Sequence, residues 1–203
     1  MSKPGGYCGI LLAAGHSRRF GADKLMHPLV DRQPMACVSA ITLQRVLPDT
    51  IVVVRPDQHD LIAQLAARGI QTITLAATKN PASAADGMGL SIAMGIAATQ
   101  EAKGWLITLA DMPFIKPATI ARVLAALQNG NAIAAPVYQG RRGHPVGFSA
   151  VFGEALRALS GDQGARSLLA KHATEIALID CDDPGILADV DSPKDLPTGT
   201  FRP

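Results

Sequence analysis

Within ten residues the chain places two glycines, one serine, two arginines and one lysine: Gly15-His16-Ser17-Arg18-Arg19-Phe20-Gly21-Ala22-Asp23-Lys24. Glycine lets backbone N–H groups approach a ligand closely and the cations neutralise it, so the run has the chemistry of a phosphate cradle. Its spacing is not GxxxxGK[ST], because five residues separate Gly15 from Gly21 and no Ser or Thr follows Lys24. It is not GxSxG either, since Arg19 stands where the second glycine would be. A second candidate is Asp111, which directly follows the apolar run Trp105–Ala110 and precedes Pro113. Mg²⁺ is commonly held by one or two protein carboxylates together with substrate phosphates, and Asp111 suits that role as well as it suits capping the next turn.

Six carboxylates fall within 180–195: Asp180, Asp182, Asp183, Asp189, Asp191 and Asp195. A solvated face or turn chemistry is the ordinary role of such a run. Asp189-Val190-Asp191, however, alternates acid, apolar, acid, so both carboxylates of an extended segment project to one side. Either could complete a metal site with Asp111. Between these clusters lies Arg141-Arg142-Gly143-His144-Pro145, whose arginine pair, like Arg18-Arg19, sits in a Gly-rich turn that suits a small phosphate ligand.

These residues need a scaffold that gathers them. Strand-length apolar runs alternate with helical patterns: a strand at Tyr7–Ala14, a helix at Pro34–Leu47, a strand at Thr50–Val54, and a helix capped by Asp57 that runs to about Arg68. A strand at Ile70–Leu75, a polar loop at Ala76–Asp86 and a helix at Gly87–Thr99 follow. Next come a buried strand at Trp105–Ala110, a helix at Pro117–Gln128 and a strand at Ala132–Pro136. Repeated β-α alternation predicts an α/β, Rossmann-like, doubly wound and mostly parallel sheet, in which ligands bind outside the carboxyl ends of the strands. After Val137 a Gly/Arg hairpin (Tyr138–Phe148), two short helices, a strand at Glu175–Ile179 and an acidic tail form an extension. The expected organisation is one domain over 1–203, with a core at about 7–136 and an extension at about 137–196 that covers its active-site edge.

Composition narrows the function classes. Aromatics are only 4% of a chain that is 48% hydrophobic, so aliphatic side chains must fill the core. A net charge of +2 without a basic stripe argues against nucleic acid as a partner. Cys8, Cys37 and Cys181 form no CxxC pair, which points to a reducing, cytoplasmic setting rather than a disulfide framework. No apolar run approaches the ~20 residues of a membrane helix. Gly87-Met88-Gly89-Leu90-Ser91-Ile92 does not complete GxGxxG, so an oxidoreductase fingerprint is missing.

Leu12-Ala13-Ala14-Gly15-His16-Ser17-Arg18-Arg19-Phe20-Gly21-Ala22-Asp23-Lys24 resembles the LAAGxSxRxGxxK signature of the MobA-like nucleotidyltransferases. Asp111-Met112-Pro113, Gly143-His144-Pro145 and Asp189-Val190-Asp191-Ser192-Pro193 are similar to that family's motifs in the same order. Gly161-Asp162-Gln163-Gly164-Ala165-Arg166 resembles the GDxGAR segment of its molybdenum cofactor cytidylyltransferase (MocA-like) branch. Phe20 replaces the commoner Met, and Asp31-Arg32-Gln33-Pro34 lacks the glycine usual in the turn before the first helix. The resemblance implies Mg²⁺-dependent transfer of CMP from CTP to the phosphate of molybdenum-bound molybdopterin, with a molybdoenzyme as possible client of the product. Its Ala-Ala-Gly form resembles the CTP users, whereas the guanylyltransferases carry Ala-Gly-Gly. The expected nucleotide-binding residues are Leu12, Ala13, Ala14, Gly15, Arg19, Lys24, Gly87 and Ser91. Arg19, Lys24 and Asp111 would be catalytic, Asp111 and Asp191 would hold metal, and Arg142 and His144 would bind the acceptor. The competing expectations are GTP or another phosphorylated acceptor on the same fold, and a catalytically silent nucleotide-binding chaperone of a cofactor.

Overall fold

A computed structural model describes residues 6–15, 20, 23–29, 32–75, 87–162 and 164–196. The apolar runs become strands β1 (Tyr7–Leu12), β2 (Thr50–Val54), β3 (Gln71–Thr74), β4 (Gly104–Leu109), β5 (Ile133–Tyr138), β6 (Arg141–Arg142), β7 (Val146–Ser149) and β8 (Ile176–Asp180). The helices are α1 (Met35–Val46), α2 (His59–Ala66), α3 (Met88–Ala98), α4 (Pro117–Gln128), α5 (Gly153–Arg157) and α6 (Arg166–Lys171). All strands join one sheet in the order β3-β2-β1-β4-β7-β5-β6, with β8 added to β5. Pairing is parallel from β3 through β4 and between β5 and β8. The return strand β7 runs antiparallel to both β4 and β5. This is the mostly parallel α/β sheet expected from the alternation.

Both faces of that sheet are covered, which is why its central strands read as unbroken apolar runs rather than alternating ones. Every residue of β2 is buried. Along β1 the side chains still alternate between two cores: Leu11 packs with Ala40 and Leu43 of α1 and Val123 of α4, while Ile10 and Leu12 pack with Ile92 and Ile96 of α3. Cys8 and Cys37 act as small buried hydrophobes, and burial pushes the Cys8 thiol up to about 12, so neither the location nor the acidity suits a nucleophile. No helix among the described residues is long and apolar enough to cross a membrane.

Three local readings change. The N-cap of α2 falls on Gln58 rather than Asp57, whose carboxylate pairs with Arg55 instead. Arg32, where the related turn would carry a glycine, adopts φ 56° and donates its backbone N–H to Leu29 O. A side chain is thus held in the left-handed region, at a cost of about 1–2 kcal/mol. The acidic run, finally, is not one solvated face. Asp183 is 1% exposed and accepts from the backbone N–H groups of Lys116 and Gly185 and from the Thr119 hydroxyl. Asp195 instead accepts from Ser192 and Asp191 and closes a capping box.

Asp183 therefore ties the start of α4 to the 3₁₀ turn Pro184–Leu187, whose Ile186 carbonyl accepts the His144 backbone N–H. Asp183→Ala leaves three donors without their acceptor, and the expected loss is about 2–4 kcal/mol. Urea unfolding of the variant measures it; a midpoint shift worth under half a kilocalorie would show that water replaces the carboxylate at no cost.

Candidate active site

The carboxyl ends of β1 and β4 lie side by side, because Leu12 pairs with Leu109 in register. What leaves those two ends is therefore brought together. From β1 comes the turn Ala13-Ala14-Gly15, whose carbonyls are taken by two side chains that follow β2. Gln58 Nε2 donates to Ala13 O at 3.0 Å, and Arg55 Nη1 donates to Ala14 O at 3.3 Å and Gly15 O at 2.7 Å. Arg55 and Gln58 were not among the expected site residues, although Arg55 directly follows β2 at the ligand-binding edge. The charge and hydrogen bonding of Arg55 and Gln58 fix the turn before any ligand arrives.

From β4 comes Asp111. Its backbone carbonyl accepts the Val190 N–H at 2.9 Å, and the Val190 side chain is fully buried. That single backbone bond docks the acid-apolar-acid segment against the end of β4. Lys24 opens a 3₁₀ turn capped by Asp23, which accepts from Leu25 N. Its ammonium donates to Asp111 Oδ2 at 2.7 Å and to Asp191 Oδ1 at 3.2 Å. Burial alone would lower the Lys24 pKa, but the hydrogen bond and charge of Asp111, joined by those of Asp191, hold it above the ordinary lysine value. The other oxygen, Asp111 Oδ1, is buried without a hydrogen-bond partner among the described residues.

Lys24 and Asp111 of this triad line one cavity, and a second cavity adjoins it. The first, about 310 Å³, is lined by Leu12, Ala13, Ala14 and Gly15 on one side and by Lys24 and Asp111 on another. Gly87, Met88 and Ser91 of the α3 start and Asp162 close it. The second, about 330 Å³, has an apolar floor that includes Ile107, Val146 and Phe148, with Arg142, His144 and Arg166 among its walls. Leu12, Met88 and Leu109 line both, so the cavities adjoin. His144 is pushed below the ordinary histidine value by burial, partly countered by the Ile107 backbone and the Asp111 charge, and its Nδ1 is buried without a hydrogen-bond partner among the described residues. Burial thus favours the uncharged imidazole.

Of the residues singled out from sequence, Leu12, Ala13, Ala14, Gly15, Lys24, Gly87, Ser91 and Asp111 line the first cavity. Arg142 and His144 line the second, and Asp191 meets Asp111 across Lys24. Arg19 lies outside the described residues, as do His16–Arg18, Gly21, Ala22 and the loop Ala76–Asp86. Asp162, Met88 and Arg166 join the walls without having been assigned a role. A GDxGAR match signals the first and last of these, but periodicity could not place them.

Among the described residues no group of three or more His, Cys, Asp or Glu side chains could hold a metal by itself. The pair Asp111 and Asp191 does fit a hard cation that takes its other ligands from phosphates. A cation already sits between them, and a buried carboxylate oxygen is left unpaired.

The MobA-like NTP transferase domain model matches residues 9–176. A protein named nicotine blue oxidoreductase from Paenarthrobacter nicotinovorans is 30% identical over 203 residues, covering 93% of each chain. The purine catabolism protein PucB of Bacillus subtilis (strain 168) is 29% identical and covers 92% of each. The crystal structure of Rv0371c in complex with manganese, from Mycobacterium tuberculosis H37Rv, superimposes with a TM-score of 0.74 at 23% identity, covering 94% of this chain and 95% of that one. The molybdopterin-guanine dinucleotide biosynthesis protein A from Archaeoglobus fulgidus has the same fold, with a TM-score of 0.62 at 14% identity over 93% of this chain and 94% of its own.

Lys24→Met leaves Asp111 and Asp191 facing each other without a counter-charge. In chelator-treated protein the loss of the Lys24–Asp111 bond should cost about 1.5–3 kcal/mol. Adding Mn²⁺ should then raise the melting temperature of the variant more than that of the wild type, because a bound cation stabilises the state that holds it. Equal responses in a thermal scan would remove the carboxylate pair as a cation site.

Proposed function

The chain belongs to the MobA-like NTP transferase family and is a nucleotidyltransferase; from that premise we propose that it transfers CMP from CTP to the phosphate of molybdenum-bound molybdopterin. The observation that carries the reading is the pair of adjoining cavities, with carboxylates and Lys24 lining one and two guanidiniums on the walls of the other. An acceptor phosphate oxygen forms a bond to the α-phosphorus of CTP while the α–β P–O bond breaks, and the electron pair leaves with pyrophosphate. The acceptor is already an anion at neutral pH, so no general base is required. What the protein must supply is alignment and charge neutralisation.

Lys24 is the residue that changes partner in this scheme. It neutralises Asp111 and Asp191, and with a triphosphate in the first cavity it would, together with Arg19, serve the phosphates. Asp111 and Asp191 would hold Mg²⁺, which when bound supplies Lewis-acid stabilisation to phosphate oxygens. Asp191 is favoured over Asp189 because it shares Lys24 with Asp111. Arg142 pairs with the acceptor anion. His144, whose burial favours the uncharged imidazole and whose Nδ1 has no partner among the described residues, positions the acceptor by hydrogen bonding. Gly87 and Ser91 present the α3 start to the nucleotide. These substrates are those of a cytoplasmic enzyme that hands its product to a molybdoenzyme.

The deciding experiment incubates the purified protein with Mg²⁺, each NTP in turn and molybdenum-loaded molybdopterin, and measures pyrophosphate and the dinucleotide product. Because one relative bears an oxidoreductase name, an arm with NADPH and no NTP belongs in the same assay. Turnover with CTP and none with NADPH is expected.

Two variants sharpen the assignment. Asp111→Asn keeps side-chain size and removes a charge from the Lys24 pair; transfer should fall by at least a hundredfold, with circular dichroism unchanged. A near-wild-type rate would refute the metal role. Ala14 is half-buried in the turn beside the nucleotide cavity, where its methyl takes space and restricts φ. Cytosine is one ring smaller than guanine, so Ala14→Gly should relax the preference for CTP over GTP. A methyl-sized change discriminates by only ~1–3 kcal/mol, so kcat/KM ratios should narrow by roughly tenfold or more without reversing. A wild type that prefers GTP would sink the cytidylyl reading.

A further inference from the structure

The segment around Gly161-Asp162 and Gly164-Ala165-Arg166 touches both cavities. Asp162 lines the nucleotide cavity, and four residues later Arg166 lines the second one beside Arg142 and His144. Its path is fixed by the start of α3. The Gly89 N–H donates to Gly161 O at 2.8 Å. A Cβ on Gly87 would strike the Asp162 carboxylate and the Gly161 backbone, and one on Gly89 would lie 2.5 Å from Ser160 O. Both glycines are therefore needed for close approach. On the other side Gly164, at φ 55°, packs against Met88, a residue shared by the two cavities.

The second cavity has a one-sided charge. Its lining contains Arg142, Arg166 and His144 but no carboxylate, whereas Asp111 and Asp162 line its neighbour. Neither guanidinium has an ion-pair partner among the described residues. Both arginines are exposed at the cavity wall, and the same cavity is lined by the apolar side chains Ile107, Leu109, Val146 and Phe148. Unpaired planar guanidiniums in a cavity with an apolar lining suit a ligand with a flat apolar body and an anionic group, which they can bind bidentately or by stacking.

We infer that Arg166 is the second arm of a two-arginine clamp for the acceptor's anionic group, held in place by the α3 residues that also border the nucleotide. This inference rests on the two-cavity reading of the function but not on the identity of the acceptor. Arg166 serves acceptor binding, so its loss should spare the donor. Its neighbour Asp162 gives the same segment a contact surface on the donor side, so one short element borders both substrates.

The test uses a fluorescent probe, 6-hydroxymethylpterin phosphate, which combines a flat heterocycle with a phosphomonoester. Its affinity for the full-length protein is read by fluorescence titration, and CTP affinity is read in parallel by calorimetry. Arg166→Ala should weaken probe binding about tenfold or more, the usual size of one lost charge-assisted hydrogen bond, with CTP affinity changed less than about twofold. Arg166→Lys should recover part of the probe affinity, which a merely structural role would not do. Probe affinity unchanged in Arg166→Ala, a wild type that does not bind the probe, or equal losses of probe and CTP would each overturn the clamp. Transfer of CMP to molybdenum-loaded molybdopterin is scored separately in the wild type. Failure there together with Arg166-dependent probe binding removes the acceptor identity and leaves the clamp standing.

Discussion

One ammonium between two carboxylates holds this site together. Lys24, Asp111 and Asp191 are separated along the chain by 87 and 167 residues, yet Lys24 Nζ lies 2.7 and 3.2 Å from the two acids. The lysine is nearly buried and Asp111 partly so, at 11% and 22% side-chain exposure. Lys24 and Asp111 depend on each other there, because an unpaired charge away from water costs several kilocalories, while Asp191, with its side chain 55% exposed, adds a second acceptor from the solvent side. The β1 loop, the end of β4 and the C-terminal segment are therefore obliged to meet. The cation between the carboxylates is on a flexible stem, so under the proposed function a metal and a triphosphate would exchange partners with it.

The sheet makes that meeting possible by putting unrelated loops at a common edge. β1 and β4 are parallel neighbours in register, and the antiparallel strand β7 returns the Arg142–His144 segment beside β4. Structural carboxylates finish the work at a distance. Asp183 fixes the 3₁₀ turn whose Ile186 carbonyl holds the His144 backbone, so a residue outside both cavity linings helps set where the His144 wall of the second cavity stands. Arg55 and Gln58 play the same part for the Ala13–Gly15 turn by taking its carbonyls.

Local physics fixed a great deal of this in advance. Fully apolar runs such as TIVVV can only be strands covered on both faces, and Pro117 followed by a 3.6-residue apolar period can only start a helix like α4. Regular alternation of the two then forces a doubly wound sheet, and the sheet dictates that Gly15, Asp111 and their neighbours stand at its ligand edge. Residue chemistry added a phosphate-like cradle and a carboxylate suited to metal. Signature spacing supplied the family.

Partner choice was decided only by the fold. Asp180, Asp182, Asp183, Asp189, Asp191 and Asp195 look alike along the chain, but packing buries Asp183 as a hydrogen-bond hub, turns Asp195 to a local cap and brings Asp191 to Lys24. Likewise Arg166 reads as one more surface arginine until the close approach of Gly87 and Gly89 to the 160–162 backbone sets it on the wall of a cavity. The reason is one of range. Propensity and periodicity act over a few residues, so they determine elements and their faces. Desolvation and Coulomb energy depend on which side chains share a buried space, and that is known only once segments more than a hundred residues apart have packed.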